Sequence, residues 1–295
     1  MNPMYAVEQK AEGIAAAALD CGRRPLLMGI LNITPDSFSD GGLYVHPDIA
    51  FDRALQMVAQ GADIIDIGGE TTRPGAAQPI DEAEELKRVI PIIQAVAKAT
   101  DVPISIDTRH ASVASAAIQA GACIVNDVSG FRFDPGMRDV LVSHRPVAVA
   151  MHMRGTPADM QQHTDYQHLL GSVICETLPA VLDVIDAGLP KSRVWLDPGI
   201  GFAKTPEQSL ALIRDVDKLA ALGFPVLVGP SRKSFIGAVL NRRNPTERVF
   251  GTAAAVTAAV LKGARVIRVH DVFEMLDVIK VAAAISEAAL TEGRN

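Results

Sequence analysis

Hydrogen-bonding and charged side chains recur in this 295-residue chain at the ends of short apolar runs. In chain order they are Asn32; Glu70 with Thr72 and Arg73; Asp107; Asn126 with Asp127; His152; Asp197; Ser231, Arg232 and Lys233; and Arg268 with His270. Three chemistries can be read from them. Asp107, Asn126 and Asp197 supply acceptors and one amide that, with Lys233 as a donor, suit the edge of a flat heterocycle rich in N–H groups. Arg268 and His270 suit an anion. Asn32, followed by Asp36 and Asp40, suits Mg²⁺, which takes few protein oxygens and completes its shell with water and substrate phosphate. Arg268 interrupts VIRVH, which otherwise reads as a buried strand, so its guanidinium requires a partner: an uncompensated buried charge is costly.

The apolar runs are LLMGIL (26–31), DIIDIG (63–68), PISID (103–107), CIVND (123–127), VAVAMH (147–152), VWLDPG (194–199), PVLVG (225–229) and VIRVH (266–270). Between them lie segments of helical periodicity, including 81–100, 205–222 and 272–290. Near-continuous apolar strands alternating with helices predict a parallel sheet covered by helices, and eight such units predict a single-domain (β/α)8 TIM barrel of roughly 250 residues. Glycines at 61, 121 and 263 each stand just before a strand, where a left-handed helix cap is expected. An open doubly wound sheet would carry a Gly-rich turn after its first strand, and NITPDSFSDGG is no such turn. In a barrel, strand ends converge on one mouth, so the scattered polar residues form a single ring. A strand-end Asp or Asn is often only a helix cap or turn former, but separate caps have no reason to fall so regularly on strand ends.

At 48% hydrophobic and 21% charged, the chain has the composition of a globular protein able to bury a large core. A formal charge of -6 argues against a nucleic-acid surface, which calls for a clustered basic face. Cys21, Cys123 and Cys175 are far apart and lack CxxC spacing, so reduced thiols in the cytoplasm are expected rather than a disulfide framework or a thiolate zinc site. No run reaches the roughly 18 apolar residues of a membrane span, and IAAAAL near the N-terminus lacks the basic flank of a leader. Neither export nor insertion is expected.

The segments NITPDSFSDGG, GGETTRPG (68–75), SIDT (105–108), NDVSG (126–130), MHMRG (151–155), DPGIGFAKT (197–205), VGPSRKSFIG (228–237) and RVHDV (268–272) resemble, in order, the motifs of the dihydropteroate synthase family. The resemblance covers about residues 25–285, leaving 1–24 as an N-terminal extension and 291–295 as a tail outside a barrel over 25–290. Thr71, where the family usually has serine, and Pro230 are minor departures.

The resemblance implies the folate-pathway reaction that joins 6-hydroxymethyl-7,8-dihydropterin diphosphate to 4-aminobenzoate, with sulfonamides as competitors. It assigns the pterin ring to Asp107, Asn126, Asp197 and Lys233, with Met151 and Phe202 against its faces and Thr72 also on the pterin diphosphate. Arg268 and His270 would hold the diphosphate, and Asp107, Lys233, Arg268 and His270 form the catalytic set. Phe38, Thr72, Arg73, Pro74 and Ser234 would form the aminobenzoate site. Asn32 would ligate Mg²⁺, with Asp36 and Asp40 as further candidates on a metal-dependent first loop. A homodimer is implied, in which the Ala-rich segment 251–264 could pack against a partner. The alternatives are a pterin-binding methyltransferase domain, which has no use for the basic RVH and SRKSF segments, and a non-catalytic paralogue, in which the first two loops should be eroded.

Overall fold

The computed structural model describes residues 3–34, 47–71 and 80–288. The predicted site residues Asp36, Phe38, Asp40, Thr72, Arg73 and Pro74 lie outside this set, as does the part of the first loop expected to depend on metal. Eight strands appear where the apolar runs predict them: β1 (Leu26–Asn32), β2 (Ile64–Gly68), β3 (Ile104–Asp107), β4 (Ile124–Asp127), β5 (Val147–Met151), β6 (Val194–Asp197), β7 (Leu227–Val228) and β8 (Val266–Val269). They pair in parallel in the order β6-β5-β4-β3-β2-β1-β8-β7. A parallel bridge between Leu196 and Val226 closes the ring. β7 is only two residues long, because the run ends in Gly229 and Pro230 and proline cannot donate to the ladder.

The described α-helices are α1 (Pro3–Leu19), α2 (Pro47–Ala59), α3 (Glu82–Ala99), α4 (Ala111–Ala120), α5 (Met137–His144), α6 (Leu169–Asp186), α7 (Pro206–Arg214), α8 (Val216–Ala220), α9 (Ser234–Leu240), α10 (Val249–Leu261) and α11 (Val272–Glu287). From α2 onward they clothe the outside of the barrel, so the strands are buried on both faces, as their unbroken apolar runs require. The segment expected as one helix over 205–222 divides into α7 and α8 at Asp215, whose carboxylate turns to Arg214 and Lys218. Gly61, Gly121 and Gly263 adopt φ of 95°, 121° and 90°, the positive values that halt a helix before each strand. α1 belongs to the stretch outside the family motifs, yet Val7, Ala11, Ile14, Ala15 and Ala18 on one of its faces join the main core. Arg265 at the start of β8 donates to the carbonyls of Ala18 and Arg23, at 3.1 and 3.0 Å, tying that helix to the barrel.

The register positions the site. Asn32 pairs with Gly68, Gly68 with Asp107 and Asp107 with Asn126, so the ends of four strands stand in one row. Across the barrel Met151 pairs with Asp197. A second apolar cluster at this end, Val128, Met151, Met153, Met160, Phe202 and Ala203, is separate from the main core. It supplies an apolar wall beside the polar row.

Candidate active site

Arg268 has the partners its burial demands. Its Nε donates to Asp66 Oδ2 at 2.6 Å and its Nη2 to Asp107 Oδ2 at 2.6 Å. The guanidinium therefore reaches across β1 from β8 to carboxylates on β2 and β3. Burial works against its charge, and Asp66 and Asp107 outweigh that cost and hold its pKa above the ordinary value. Burial pushes the Asp107 carboxyl up; Arg268 is the largest force holding it down, while Asp66, Glu70 and Asp127 push it further up. Asp66 also accepts from Asn126 Nδ2 at 3.4 Å. Among the described residues Arg268 Nη1 has no hydrogen-bond partner, which leaves one face of the fork for a ligand.

The opposite wall is built by the segments after β6 and β7. Arg232, at φ 57°, is held by the two carboxylate oxygens of Asp271 and by a bond from its amide to Thr252 Oγ1 at 3.1 Å. That anchor directs the next residue, Lys233, inward. Lys233 Nζ donates to the Ile200 carbonyl and stands 4.6 Å from the centroid of the Phe202 ring. Burial lowers its pKa to about 8 against the pull of Asp197. Burial raises the Asp197 carboxyl, with Lys233 the chief opposing charge, and Asp197 Oδ1 accepts from the Gly199 amide at 2.7 Å.

Asn32 is half-buried at the end of β1. A Cβ on Gly68 would come within 3.7 Å of Asn32 Oδ1 and 3.3 Å of the Asp107 Cβ, so glycine there keeps the space between the two side chains open. His270 Nδ1 lies 3.0 Å from Ser231 Oγ, and its carbonyl accepts from Arg53 Nη2 at 3.1 Å. Ser234 is exposed in the first turn of α9.

Several members of the strand-end ring do scaffold work instead. Asp127 folds back on its own loop, accepting from the Ser129 amide and hydroxyl at 2.7 Å each and from the Phe131 amide at 3.1 Å. Glu70 forms a buried pair with Arg109 at 3.0 Å. His152 is buried, with Nε2 on Glu176 at 3.0 Å and Nδ1 on Lys204 at 3.0 Å. Burial, followed by the Lys204 charge, depresses its pKa to about 3, so it is neutral. Two buried ionisable groups escape a reading confined to strand ends. Asp66 lies inside DIIDIG, where a carboxylate interrupting an apolar run is the same signal that marks Arg268. Glu85, on the inner face of α3, is 1% exposed.

Residues 28–270 match the model of a family described as pterin binding enzyme. The chain is 49% identical over 273 residues to the dihydropteroate synthase of Synechocystis sp., covering 92% of this chain and 94% of that one. It is 44% identical over 269 residues to the dihydropteroate synthase of Bacillus subtilis, covering 91% of each. Its fold superposes on the Yersinia pestis dihydropteroate synthase solved with a sulfonamide drug complex, with a TM-score of 0.86, 39% identity and coverage of 91% and 96% of the two chains. It also matches the Xanthomonas albilineans dihydropteroate synthase in complex with 7,8-dihydropteroate, at TM-score 0.82, 37% identity and coverage of 92% and 96%. A family model that reaches from β1 to the end of β8, and relatives covered over nine-tenths of their length at this identity, lead to one conclusion: the chain belongs to the dihydropteroate synthase family of pterin-binding enzymes.

Proposed function

We propose that this mouth joins 6-hydroxymethyl-7,8-dihydropterin diphosphate to 4-aminobenzoate, releasing pyrophosphate and 7,8-dihydropteroate. The observation that carries the residue-level reading is the pair of facing walls: Arg268 with Asp107 on one side, and Lys233 with Asp197 on the other, beside the apolar cluster of Met151 and Phe202. Asp107, Asn126 and Asp197 receive the N–H edge of the pterin, Lys233 donates to its acceptor edge, and Met151 and Phe202 cover its faces. The free edge of Arg268, with His270, faces the diphosphate.

The C–O bond to the diphosphate breaks, leaving negative charge on pyrophosphate and positive charge on the pterin methylene. The arylamine nitrogen then forms the new C–N bond and loses a proton. Fixed carboxylates at Asp107 and Asp197 favour the cationic pterin, while Arg268 favours the anion, each acting where charge develops. No covalent nucleophile of the protein is needed, and Cys123 is a buried thiol whose pKa burial pushes up to about 12. The donor set suits Mg²⁺: one half-buried amide oxygen of Asn32 beside space kept open by Gly68. When bound, the ion would offset charge on the leaving pyrophosphate. Asp36 and Asp40 complete the proposed metal set, and Thr72, Arg73, Pro74, Phe38 and Ser234 the proposed aminobenzoate site.

Mixing the protein with Mg²⁺, the pterin diphosphate and 4-aminobenzoate should release pyrophosphate in step with dihydropteroate, and chelation of the metal should stop it. Release that ignores aminobenzoate would overturn the reaction. Sulfonamides should compete with aminobenzoate in the same assay.

A homodimer is proposed through the apolar face of α7, α9 and α10. Leu210, Val239, Leu240 and Leu261 are exposed there, around a groove floored by Ala254, Ala255 and Ala258. Val239→Asp should convert a dimer to a monomer in analytical ultracentrifugation, and a wild type that sediments as a monomer at micromolar concentration would sink the idea. Among the described residues no helix is long and apolar enough to cross a membrane. Cys21, Cys123 and Cys175 are all free thiols, which supports a reducing cytoplasmic setting, and recovery of the native protein from an oxidising compartment would contradict it.

A further inference from the structure

Lys204 is a buried basic side chain for which the chemistry above has no use. It is 3% exposed and lies at the end of the DPGIGFAK segment that follows β6. Its Nζ faces three acceptors: the Phe202 carbonyl at 2.8 Å, His152 Nδ1 at 3.0 Å and the His152 carbonyl at 3.5 Å. In its charged form Lys204 has three donors and no acceptor, which pairs it with an unprotonated His152 Nδ1 and leaves Nε2–H to donate to Glu176. Arg154 Nε donates to both oxygens of Glu176, at 3.0 Å to Oε2, which His152 also contacts, and at 3.2 Å to Oε1. Lys204 thus sits at the head of an ordered chain, Lys204 to His152 to Glu176 to Arg154.

The segment held this way is under conformational load. Gly199, Gly201 and Ala203 all have positive φ, at 67°, 80° and 49°, and the last is not a glycine. A Cβ on Gly199 would lie 1.9 Å from the His152 carbonyl, so this backbone is pressed against the end of β5. From outside, Gln161 Nε2 donates to the Gly201 carbonyl at 3.2 Å and the Tyr166 hydroxyl to the Ala203 carbonyl at 3.0 Å. The strained segment presents two groups to the pocket: the Phe202 ring and the Ile200 carbonyl that receives Lys233. Burial drives the Lys204 pKa down to about 7 against Asp197, so a neutral residue of similar length would be easier to bury. A lysine buried at that cost, on three acceptors of two neighbouring segments, points to a role in placing what it touches.

We propose that Lys204 is a positioning residue of the pterin pocket: by cross-linking the Phe202 and His152 carbonyls and the His152 ring, it locks the Gly199–Ala203 segment onto β5 and so fixes Phe202 and the Ile200–Lys233 contact. The inference rests on the pterin pocket proposed above. It separates the two substrates, because Lys204 braces the pterin wall and none of its hydrogen bonds goes to Ser234, the described residue of the aminobenzoate set.

The test measures pterin diphosphate affinity by calorimetry, and KM for aminobenzoate at saturating pterin diphosphate, in wild type, Lys204→Met, Lys204→Arg and Asp197→Ala. Lys204→Met should weaken pterin binding by about 10-fold or more, the scale of one lost charge-assisted hydrogen bond, with aminobenzoate KM within about 2-fold of wild type. Lys204→Arg, which keeps charge and donors, should recover most of that loss. If Lys204→Met does not fold, Lys204→Gln, with donors but no charge, is read on the same ratio. Wild-type pterin affinity in a folded neutral variant, or equal losses for both substrates, would overturn this inference alone. Pterin affinity untouched by Asp197→Ala would overturn the pocket assignment and this inference with it.

Discussion

Replacing Arg268 with alanine is expected to lower kcat/KM by about 10²- to 10³-fold and to weaken binding of the free pterin as well as of its diphosphate. A lone anion receptor on β8 would affect the diphosphate only. Arg268 does more than that, because it bridges Asp66 and Asp107 with two bonds of 2.6 Å. Without it, two buried carboxylates face each other, and breaking a buried ion pair by removing one partner costs about 3–5 kcal/mol. The cheapest relief is for one carboxyl to take a proton, and Asp107, already pushed up by burial, is poised to do so. A protonated Asp107 no longer offers the pterin two acceptors. Arg268→Lys should rescue little, since a single ammonium cannot reproduce the planar fork that spans β2 and β3. Calorimetry with pterin and with pterin diphosphate checks this, and unchanged free-pterin affinity in Arg268→Ala would show that the guanidinium does not hold Asp107 in place.

Glu85→Gln is expected to stabilise the protein at pH 8 by up to about 3 kcal/mol relative to wild type, and to leave stability at pH 4.5 or below nearly unchanged. Burial raises the Glu85 pKa from 4.5 to about 7, with Glu70 and Asp107 adding to it and Thr108 and Arg109 opposing. A carboxyl raised in this way holds a proton in the folded state that the unfolded chain has already released. Its contribution is complete below pH 4.5 and is lost as pH rises through about 7. Glutamine keeps the shape and never ionises, so it escapes that loss. For a chain of this length the gain should appear as a rise in Tm on the order of 5 °C at pH 8. Thermal unfolding of both proteins across pH 4 to 8 measures it, and a Tm difference that does not grow with pH would show that Glu85 is ionised at little cost. Glu85 packs directly behind Gly69, at the root of the segment that carries Thr72, Arg73 and Pro74.

The barrel was legible in the chain itself. Eight β-branched apolar runs, alternating with amphipathic segments and glycine stops, permit little but parallel strands covered by helices, and strand ends in such a barrel face one mouth. Asn32, Asp107, Asn126 and Asp197 could therefore be placed by position in their runs, and the register shows the first three in one row. Tertiary structure decided which ring members face ligand and which face protein. Asp127 and His152 end their runs as Asp107 and Asp197 do, yet one caps a loop and the other lies between Glu176 and Lys204. The partners of Asp127 are local, two and four residues on, but those of His152 lie 24 and 52 positions away, so no local spacing announces them. The same holds for Arg268 and Asp66, 202 residues apart in sequence. The chain shows that a charge is buried in a strand, because periodicity is local; only the closed barrel shows what neutralises it, because ion pairing is a matter of distance in space.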